Sequence, residues 1–231
     1  MTTHETIQHL PLFRVLKTPD RRTIESHLQE ARYGKGQYIF QEGDPADYFY
    51  VLKEGTVKCV KSSPDGRQVT LKILMPGDLF CCEAAAFNGA PHPGCAKPMG
   101  DVRVLRLRKK TYFDMLRRNP EAAIEVIKYL GQRLNEVQET AKVLALDRAE
   151  QRLASLLVNL ATRTGAREPG GIGLTIPLTR QDLADMAGVT AETAIRIMSR
   201  FKRRRLVSGT AKRIVIHDLQ KLEQLASSSA K

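Results

Sequence analysis

The sequence predicts an α+β chain: an N-terminal β-roll of the jelly-roll type, a long helix and a C-terminal winged helix-turn-helix. Three patterns indicate this architecture: short β-prone runs between glycines over residues 34–108, heptad-spaced apolar residues over 120–146, and two short capped helices on either side of Gly188. We expect the roll at residues 1–118, the long helix at 119–147 and the winged helix-turn-helix at 148–231.

The N-terminal part combines short helices with a run of strands. Residues 5–32 are predicted to form short helical segments around LPLFRVL and DRRTIESHLQEARY. The β-prone runs that follow are QYIF, YFYVLKE, TVKCVKS, QVTLKIL and VRVLRLR, with turn signals at EGDPAD, SPDGR and MPGD. Short strands at this spacing are typical of a sandwich or jelly roll.

A short helix at YFDMLRRN precedes a long helix that runs from about Pro120 to Leu146, and Pro120 suits the first turn of a helix. Apolar residues recur at alternating steps of four and three, at Ala123, Ile127, Leu130, Leu134, Val137, Ala141 and Leu144. We interpret this heptad stripe as the seam of a parallel homodimer. The alternative is a helix packed against its own domain, because three heptads are near the lower limit for a coiled coil.

The C-terminal part begins with a helix from Arg148 to Thr162, a glycine-rich loop (TGAREPGGIG) and a short strand (LTIPL). Two helices joined by Gly188 follow, with Thr179 and Thr190 as their N-caps. The second helix has an apolar stripe at i, i+3, i+4 and i+7, formed by Ala194, Ile197, Met198 and Phe201. The last segment, RLVSGTAKRIVIHD, predicts a hairpin with Ser208-Gly209 near its turn, which completes a winged helix.

A different face of the second helix presents Glu192, Arg196 and Arg200 at i, i+4 and i+8. An arginine fork matches the two acceptors of guanine, and a carboxylate can accept from the amino group of cytosine. The alternative is an ordinary surface ion pair between Glu192 and Arg196. The basic run over 202–205, which includes Lys202 and Arg203, is either a solvated helix end or a set of phosphate contacts, and its position favours the second.

The composition also favours a polyanionic partner. The 231 residues carry a formal net charge of +12, and residues 148–231 hold 15 Lys/Arg against 7 Asp/Glu. No run approaches the roughly 20 apolar residues of a membrane span, and the N-terminus has no signal-peptide layout. The four cysteines lack the spacing of a secreted scaffold, so we expect a cytoplasmic protein with reduced thiols and no membrane partner.

The segments EGDPADYFYVLKEGTVKC, MPGDLF and LTRQDLADMAGVTAETAIRIMSRF resemble the Crp/Fnr family of bacterial transcription regulators. The resemblance implies a homodimer with a cyclic-nucleotide-binding-like roll that senses a small signal, binding to double-stranded DNA, and RNA polymerase as a partner. By match to the family motif, Glu192 and Arg196 are the base readers. Thr193 lies nearby, and Thr179 and Arg180 are on phosphate.

The same resemblance gives an expected DNA site. Ala191 stands where the cyclic-AMP receptor protein has an arginine, which favours a palindromic site with TTGA-like halves. Ile195 stands where the oxygen-responsive branch often has serine, so the outer bases stay open.

The sensor stretch GDLFCCEAAAFNGAPHPGCA departs from the cyclic-AMP pattern. Glu83 can stand for the glutamate that holds the ribose, but the phosphate arginine would fall near Pro93 and Gly94, where there is no cation. Val137 and Gln138 occupy the helix positions of the receptor's Thr-Ser pair. A buried phosphate without a guanidinium is costly, so we expect a signal other than cyclic AMP. The four-cysteine iron-sulfur pattern is absent, since no cysteine precedes Cys59.

Three interpretations of the cysteines remain open. In the first, all four cysteines are small buried side chains of the core. In the second, Cys81 is a haem thiolate as in carbon-monoxide sensors, with His4, His9 or His92 as the second ligand. In the third, Cys81 and Cys82, with Cys95, form a thiol switch or a soft metal or metalloid site.

Two other functions are alternatives to a DNA-binding regulator. A regulatory subunit that acts on a protein partner does not need a basic winged helix. A cupin-type metalloenzyme needs clustered ligands, whereas histidines 4, 9, 27, 92 and 217 are scattered. No nucleophile motif or phosphate-binding glycine loop is present either, so we expect a protein that is not an enzyme.

Overall fold

The computed structural model describes residues 2–8, 10–63, 68–80, 90–210 and 213–227. The chain divides into two compact units, residues 1–136 and 137–231, with the boundary inside the long helix. In the part described, no helix is both long and apolar enough to cross a membrane.

The first unit is a β-roll with helices on one side. Its helices are α1 (Thr3–Ile7), α2 (Pro11–Val15), α3 (Thr18–His27), α4 (Lys109–Arg118) and the start of α5 (Pro120–Leu146). Its strands are β1 (Gln29–Tyr33), β2 (Tyr48–Glu54), β3 (Val57–Ser62), β4 (Gln68–Leu74), β5 (Leu79–Phe80), β6 (Cys95–Pro98) and β7 (Val102–Arg108). They form a four-stranded sheet, β1-β7-β2-β5, and a three-stranded sheet, β4-β3-β6.

The alternation of side chains along β2 explains why the first unit has two apolar cores. Tyr50 and Leu52 join residues of both sheets in one cluster, which is the interior of the roll. Phe49 and Val51 point to the opposite face, because successive side chains of a strand alternate, and they pack with Ile24 of α3 in a second cluster. Helices α3, α4 and α5 therefore cover the outer face of the four-stranded sheet.

Two predicted elements of this unit were wrong. Residues 29–33, predicted to be helical, form β1, which pairs antiparallel with β7 from Gln29↔Arg106 to Tyr33↔Val102. Helix-favouring residues are extended there because the edge of β7 offers backbone partners, which outweighs weak local propensity. The run QYIF, predicted to be a strand, contributes a single bridge, Phe40↔Ala96.

The second unit continues from α5 into a winged helix. Its helices are α6 (Ala149–Thr164), α7 (Arg180–Ala187), α8 (Ala191–Arg203) and α9 (Leu219–Ser227). Its strands are β8 (Gly165–Glu168), β9 (Gly171–Leu174), β10 (Val207–Thr210) and β11 (Arg213–Ile216), in the order β10-β11-β9-β8. The core contains fully buried Leu153, Leu157, Leu183, Phe201 and Leu206.

The glycine-rich segment predicted as a loop is the hairpin β8–β9, and the strand predicted over 174–178 reaches only Leu174. Pairing of β9 with β11, at Val215↔Gly173 and Ile216↔Ile172, recruits these glycines into the sheet. The predicted hairpin over 205–218 is the pair β10–β11, in which Ser208 pairs with Val215 and Gly209 with Ile214, and residues 211–212 lie outside those described. Helix α9, not predicted, buries Leu222 completely.

Candidate functional site

The first helix of the helix-turn-helix begins with a closed capping box. The buried carboxylate of Asp182 accepts from the backbone N–H of Thr179 at 2.9 Å and from its hydroxyl at 2.6 Å, and the Asp182 N–H donates back to the Thr179 hydroxyl at 3.0 Å. The Thr179 hydroxyl is therefore engaged in the cap. Arg180, the first helical residue, is exposed beside it.

The turn between α7 and α8 is held at Gly188, which adopts the left-handed conformation with φ 60° and ψ 42°. Its N–H donates to the carbonyl of Ala184, which ends α7 with a helix cap that favours glycine. A Cβ atom at Gly188 would lie 2.9 Å from Cδ2 of Leu144. Leu144, predicted for the dimer seam, thus also contacts this turn.

Helix α8 is fixed on one side and exposed on the other. Thr190 caps it by accepting from the N–H of Thr193 at 3.2 Å, and the two hydroxyls are 3.0 Å apart. The predicted apolar stripe is confirmed: Ala194, Ile197 and Phe201 are buried and Met198 is half-buried.

Glu192 and Arg196 project from the exposed side of α8. Neither side chain has a hydrogen bond or an ion pair with any residue that the structure describes. The alternative of a Glu192–Arg196 surface ion pair therefore does not occur here. The exposed face of α8 therefore presents one carboxylate and one guanidinium that can bond to a ligand.

The cations at the end of α8 differ in their surroundings. Nη1 of Arg200 donates to Oε2 of Glu150 at 2.5 Å, and Nζ of Lys202 donates to the carbonyl of Gly209 in β10 at 2.6 Å. Arg203 is exposed, and its side chain makes no hydrogen bond or ion pair within the described ranges. Arg205 follows with φ 57°, the one described non-glycine residue with positive φ.

Large apolar side chains are exposed along α5. The exposed fractions are 67% for Ile127, 58% for Leu134, 64% for Val137 and 43% for Leu144, and Ala141 is exposed as well. Leu130, also predicted for the seam, packs partly against the first unit's helical core. Ile124 and Leu146, which do not belong to the heptad stripe, are 52% and 75% exposed.

One contact on α5 that the sequence reasoning missed joins the helix to β5. The hydroxyl of Tyr129 donates to the carbonyl of Leu79 at 3.2 Å, and Nε of Arg133 donates to that hydroxyl at 3.0 Å. The guanidinium also lies over the Tyr129 ring and 3.7 Å from Asp78. An aromatic residue four positions before an arginine was the available signal. Helix α5 is thus bonded to the strand that leads into the predicted sensor segment.

The predicted sensor residues Cys81, Cys82 and Glu83 lie outside the described residues, as does His9. Cys59 and Cys95 are half-buried on β3 and β6, and the Cys95 sulfur accepts from the N–H of Glu42 at 3.4 Å. Within the described ranges, no three His, Cys, Asp or Glu side chains are grouped to hold a metal ion. Val137 and Gln138 are exposed on α5.

His92 belongs to an aromatic group inside the roll, with Phe40, Tyr48, Tyr50 and Phe80. Its ring is 2% exposed and stacks on Phe40 with centroids 3.7 Å apart. Burial lowers the pKa of His92, although the carboxylates of Asp44 and Asp47 oppose the shift. His4, the other described candidate for a haem ligand, is exposed and bonded to Glu25 at 2.8 Å.

Comparison with known proteins matches both halves of the chain. Residues 30–119 match the model of the cyclic nucleotide-binding domain, and residues 151–225 match that of the Crp-like helix-turn-helix domain. Over 222 residues the chain is 26% identical to the CRP-like cAMP-activated global transcriptional regulator of Mycobacterium tuberculosis, covering 96% of this chain and 99% of the relative. It is 28% identical over 195 residues to the fumarate and nitrate reduction regulatory protein of Vibrio cholerae, covering 84% and 77%. The chain belongs to the Crp/Fnr family.

Solved structures agree with the fold of this Crp/Fnr chain. FixK2 from Bradyrhizobium japonicum superposes with a TM-score of 0.78 at 24% identity, covering 88% of this chain and 99% of that chain. A CooA variant from Carboxydothermus hydrogenoformans gives 0.72 at 25% identity, covering 87% and 89%. As a Crp/Fnr member, the protein is a DNA-binding transcription regulator with a sensor domain, and it is not an enzyme.

Proposed function

We propose that the protein is a homodimeric regulator that binds a palindromic site with TTGA-like halves. Glu192 and Arg196 of each protomer read the base edges. The observation that carries this proposal is their exposure, without partners among the described residues, on a helix whose opposite face is buried. A single G·C pair offers both complements, since guanine accepts from arginine and the cytosine amino group donates to glutamate.

Phosphate contacts flank these readers in the proposal. Arg180 at the start of α7 and Arg203 at the end of α8 are exposed cations, and Lys202 joins α8 to β10 of the wing. The N-caps of the two helices involve Thr179, Thr190 and Thr193. In the proposal, the N-termini that these caps order face the DNA phosphates. Arg200, also predicted to contact DNA, is bonded to Glu150.

The proposed dimer uses the exposed stripe on α5. Ile127, Leu134 and Val137 are more than half exposed, although such residues favour burial. A parallel copy of the same helix would cover them by knobs-into-holes packing. Two protomers would then read two half-sites about one helical turn apart.

We propose that the signal acts on the roll near residues 81–95 and is something other than cyclic AMP. Pro93 and Gly94 supply no cation for a cyclic phosphate, and the described interior of the roll beside them is aromatic, with Phe40, Tyr50 and Phe80 around His92. Cys81 and Cys82, with Cys95, remain the proposed sensors, as thiols or as ligands of a soft metal, a metalloid or haem. Tyr129 and Arg133 would transmit the change to α5, and RNA polymerase is the proposed protein partner.

The experiment that tests the DNA-binding proposal is a gel-shift titration of the full chain against salt. The probes are a palindromic TTGA duplex and a scrambled duplex of the same length. We expect preference for the palindrome and a steep loss of affinity with salt, from counterion release. Equal binding to both duplexes would contradict the proposed DNA site, and a protein that is monomeric in solution would contradict the proposed homodimer. DNA binding that does not depend on salt would favour the alternative, a regulatory protein that acts on a protein partner. An absorbance spectrum with thiol and metal counts separates haem, metal and bare thiols.

A further inference from the structure

The carboxylate of Glu150 lies between Arg200 of the recognition helix α8 and Arg204, the residue that caps the end of this helix. Oε2 of Glu150 accepts from Nη1 of Arg200 at 2.5 Å, and Oε1 lies 3.7 Å from Nη1 of Arg204. The Glu150 side chain is 25% exposed, against 47% for Arg200 and 48% for Arg204. One anion from the first turn of α6 thus balances two cations from the end of α8.

Arg200 lies nearer than Arg196 to the edge of the helix face that carries Glu192 and Arg196. At about 100° per residue, Arg200 lies roughly 40° around the helix from Arg196, and Arg204 follows as the residue that caps the helix. Arg196 and Arg203 point closer to the centre of the exposed face and have no side-chain partner among the described residues. The helix therefore carries an unpaired set and a paired set of cations.

We propose that Glu150 is a specificity-determining residue that withholds Arg200 and Arg204 from DNA phosphates. A guanidinium bonded to a carboxylate releases fewer counterions from DNA, and the carboxylate itself repels phosphate. Sequence-independent attraction is thereby kept low, while the base contacts of Glu192 and Arg196 are left unchanged. The proposal rests on the chain being a DNA-binding regulator.

A purely structural role for this pair predicts a different result. Half-exposed ion pairs contribute about 0 to 1 kcal/mol to stability, so losing this one should leave the fold intact. Freeing the two arginines should instead raise the affinity for DNA of any sequence, because that affinity is dominated by phosphate contacts. The salt dependence of binding separates the two roles.

The test uses full-length Glu150→Gln and a random-sequence duplex of 30 base pairs, with association constants measured across salt concentrations. We expect the slope of log K against log salt to steepen by about 0.9 for each arginine released. Near 0.1 M salt this corresponds to roughly tenfold tighter random-duplex binding per arginine. The ratio of palindrome to random-duplex affinity should fall accordingly. Glu125→Gln, which removes the same charge from an α5 ion pair with Lys128, is the matched control.

The triple variant Glu150→Gln, Arg200→Gln, Arg204→Gln should return to the wild-type slope, and Glu150→Ala should reproduce the effect of Glu150→Gln. Circular dichroism melts verify that each variant is folded. An unchanged slope in both Glu150 variants, or weaker random-duplex binding, would overturn the proposal. A wild-type protein without preference for the palindrome would refute the proposed DNA site instead, so the two failures are distinguishable.

Discussion

Nη1 of Arg152, on α6, donates a 3.1 Å hydrogen bond to the carbonyl oxygen of Gly188, the left-handed residue between α7 and α8. The two residues are 36 positions apart in the chain. A carbonyl exposed by the end of a helix normally bonds to water or to a cap. Here helix α6 supplies the donor, so a residue outside the helix-turn-helix bonds to the turn between its two helices.

Replacing Gly188 with alanine tests how much this turn depends on glycine. We expect Gly188→Ala to cost about 1 to 2 kcal/mol of unfolding free energy, because φ is +60° and the new Cβ would press on Leu144. Urea denaturation of the full chain measures the loss. Gly100→Ala, which has no neighbouring atom within 4 Å in the described structure and no positive φ, is the control. Equal stability of the two variants would show that the turn tolerates a side chain.

Arg196 and Arg203 should have different effects on DNA binding. Arg196→Ala removes a proposed base contact, so discrimination between the palindrome and a site with its G·C pairs changed should fall by about 1 to 3 kcal/mol per half-site. Arg203→Ala removes a proposed phosphate contact and should weaken all duplexes alike, with a salt slope shallower by about 0.9 per protomer. Competition gel shifts measure both. Unchanged discrimination in Arg196→Ala would count against its role.

The exposed stripe of α5 predicts a dimer that charge should disrupt. Ile127→Glu combined with Val137→Glu places carboxylates at positions about two-thirds exposed in one chain, so the fold of each protomer should survive. Sedimentation velocity should show a shift from dimer to monomer and gel shifts a loss of palindrome binding. Glu139→Gln, exposed on another face of the same helix, should remain dimeric. A dimeric double variant would place the interface elsewhere.

Burial of His92 predicts a specific sensitivity to acid. Its pKa is lowered from the usual 6.5, chiefly by burial, so below about pH 6.5 the unfolded chain binds a proton that the folded chain resists. Stability should therefore fall as the pH decreases from 6.5. His92→Gln should show a smaller difference in melting temperature between pH 7.5 and pH 5 than the wild type. His27→Gln, at an exposed position of α3, should keep the wild-type difference.

Arg205 takes a backbone conformation that glycine adopts more readily, with φ 57° at the end of α8. Arg205→Gly should relieve strain and raise the unfolding free energy by up to about 1 kcal/mol. If the side chain contacts phosphate, as the basic run predicts, the salt slope should become shallower at the same time. A variant that is both more stable and equally dependent on salt would show that this arginine has no part in binding.

The parts that the sequence determined are those encoded locally. Thr179 and Thr190 cap α7 and α8, Gly188 takes positive φ, and α5 runs from Pro120 to Leu146 as its period and first proline predict. Caps, turns and helical periodicity depend on residues within one or two turns of each other, so they can be recognised before the fold is known.

Tertiary structure decided the features that join distant residues. Residues 29–33 became a strand because β7 offered an edge, and glycines 171 and 173 entered a sheet because β11 lay beside them. Arg200 appeared equivalent to Arg196 by spacing, yet Glu150, 50 positions away, pairs with it and not with Arg196. Spacing along one helix determines which side chains share a face. Which of them meets an opposite charge depends on how helices pack, and that is determined by the buried core as a whole.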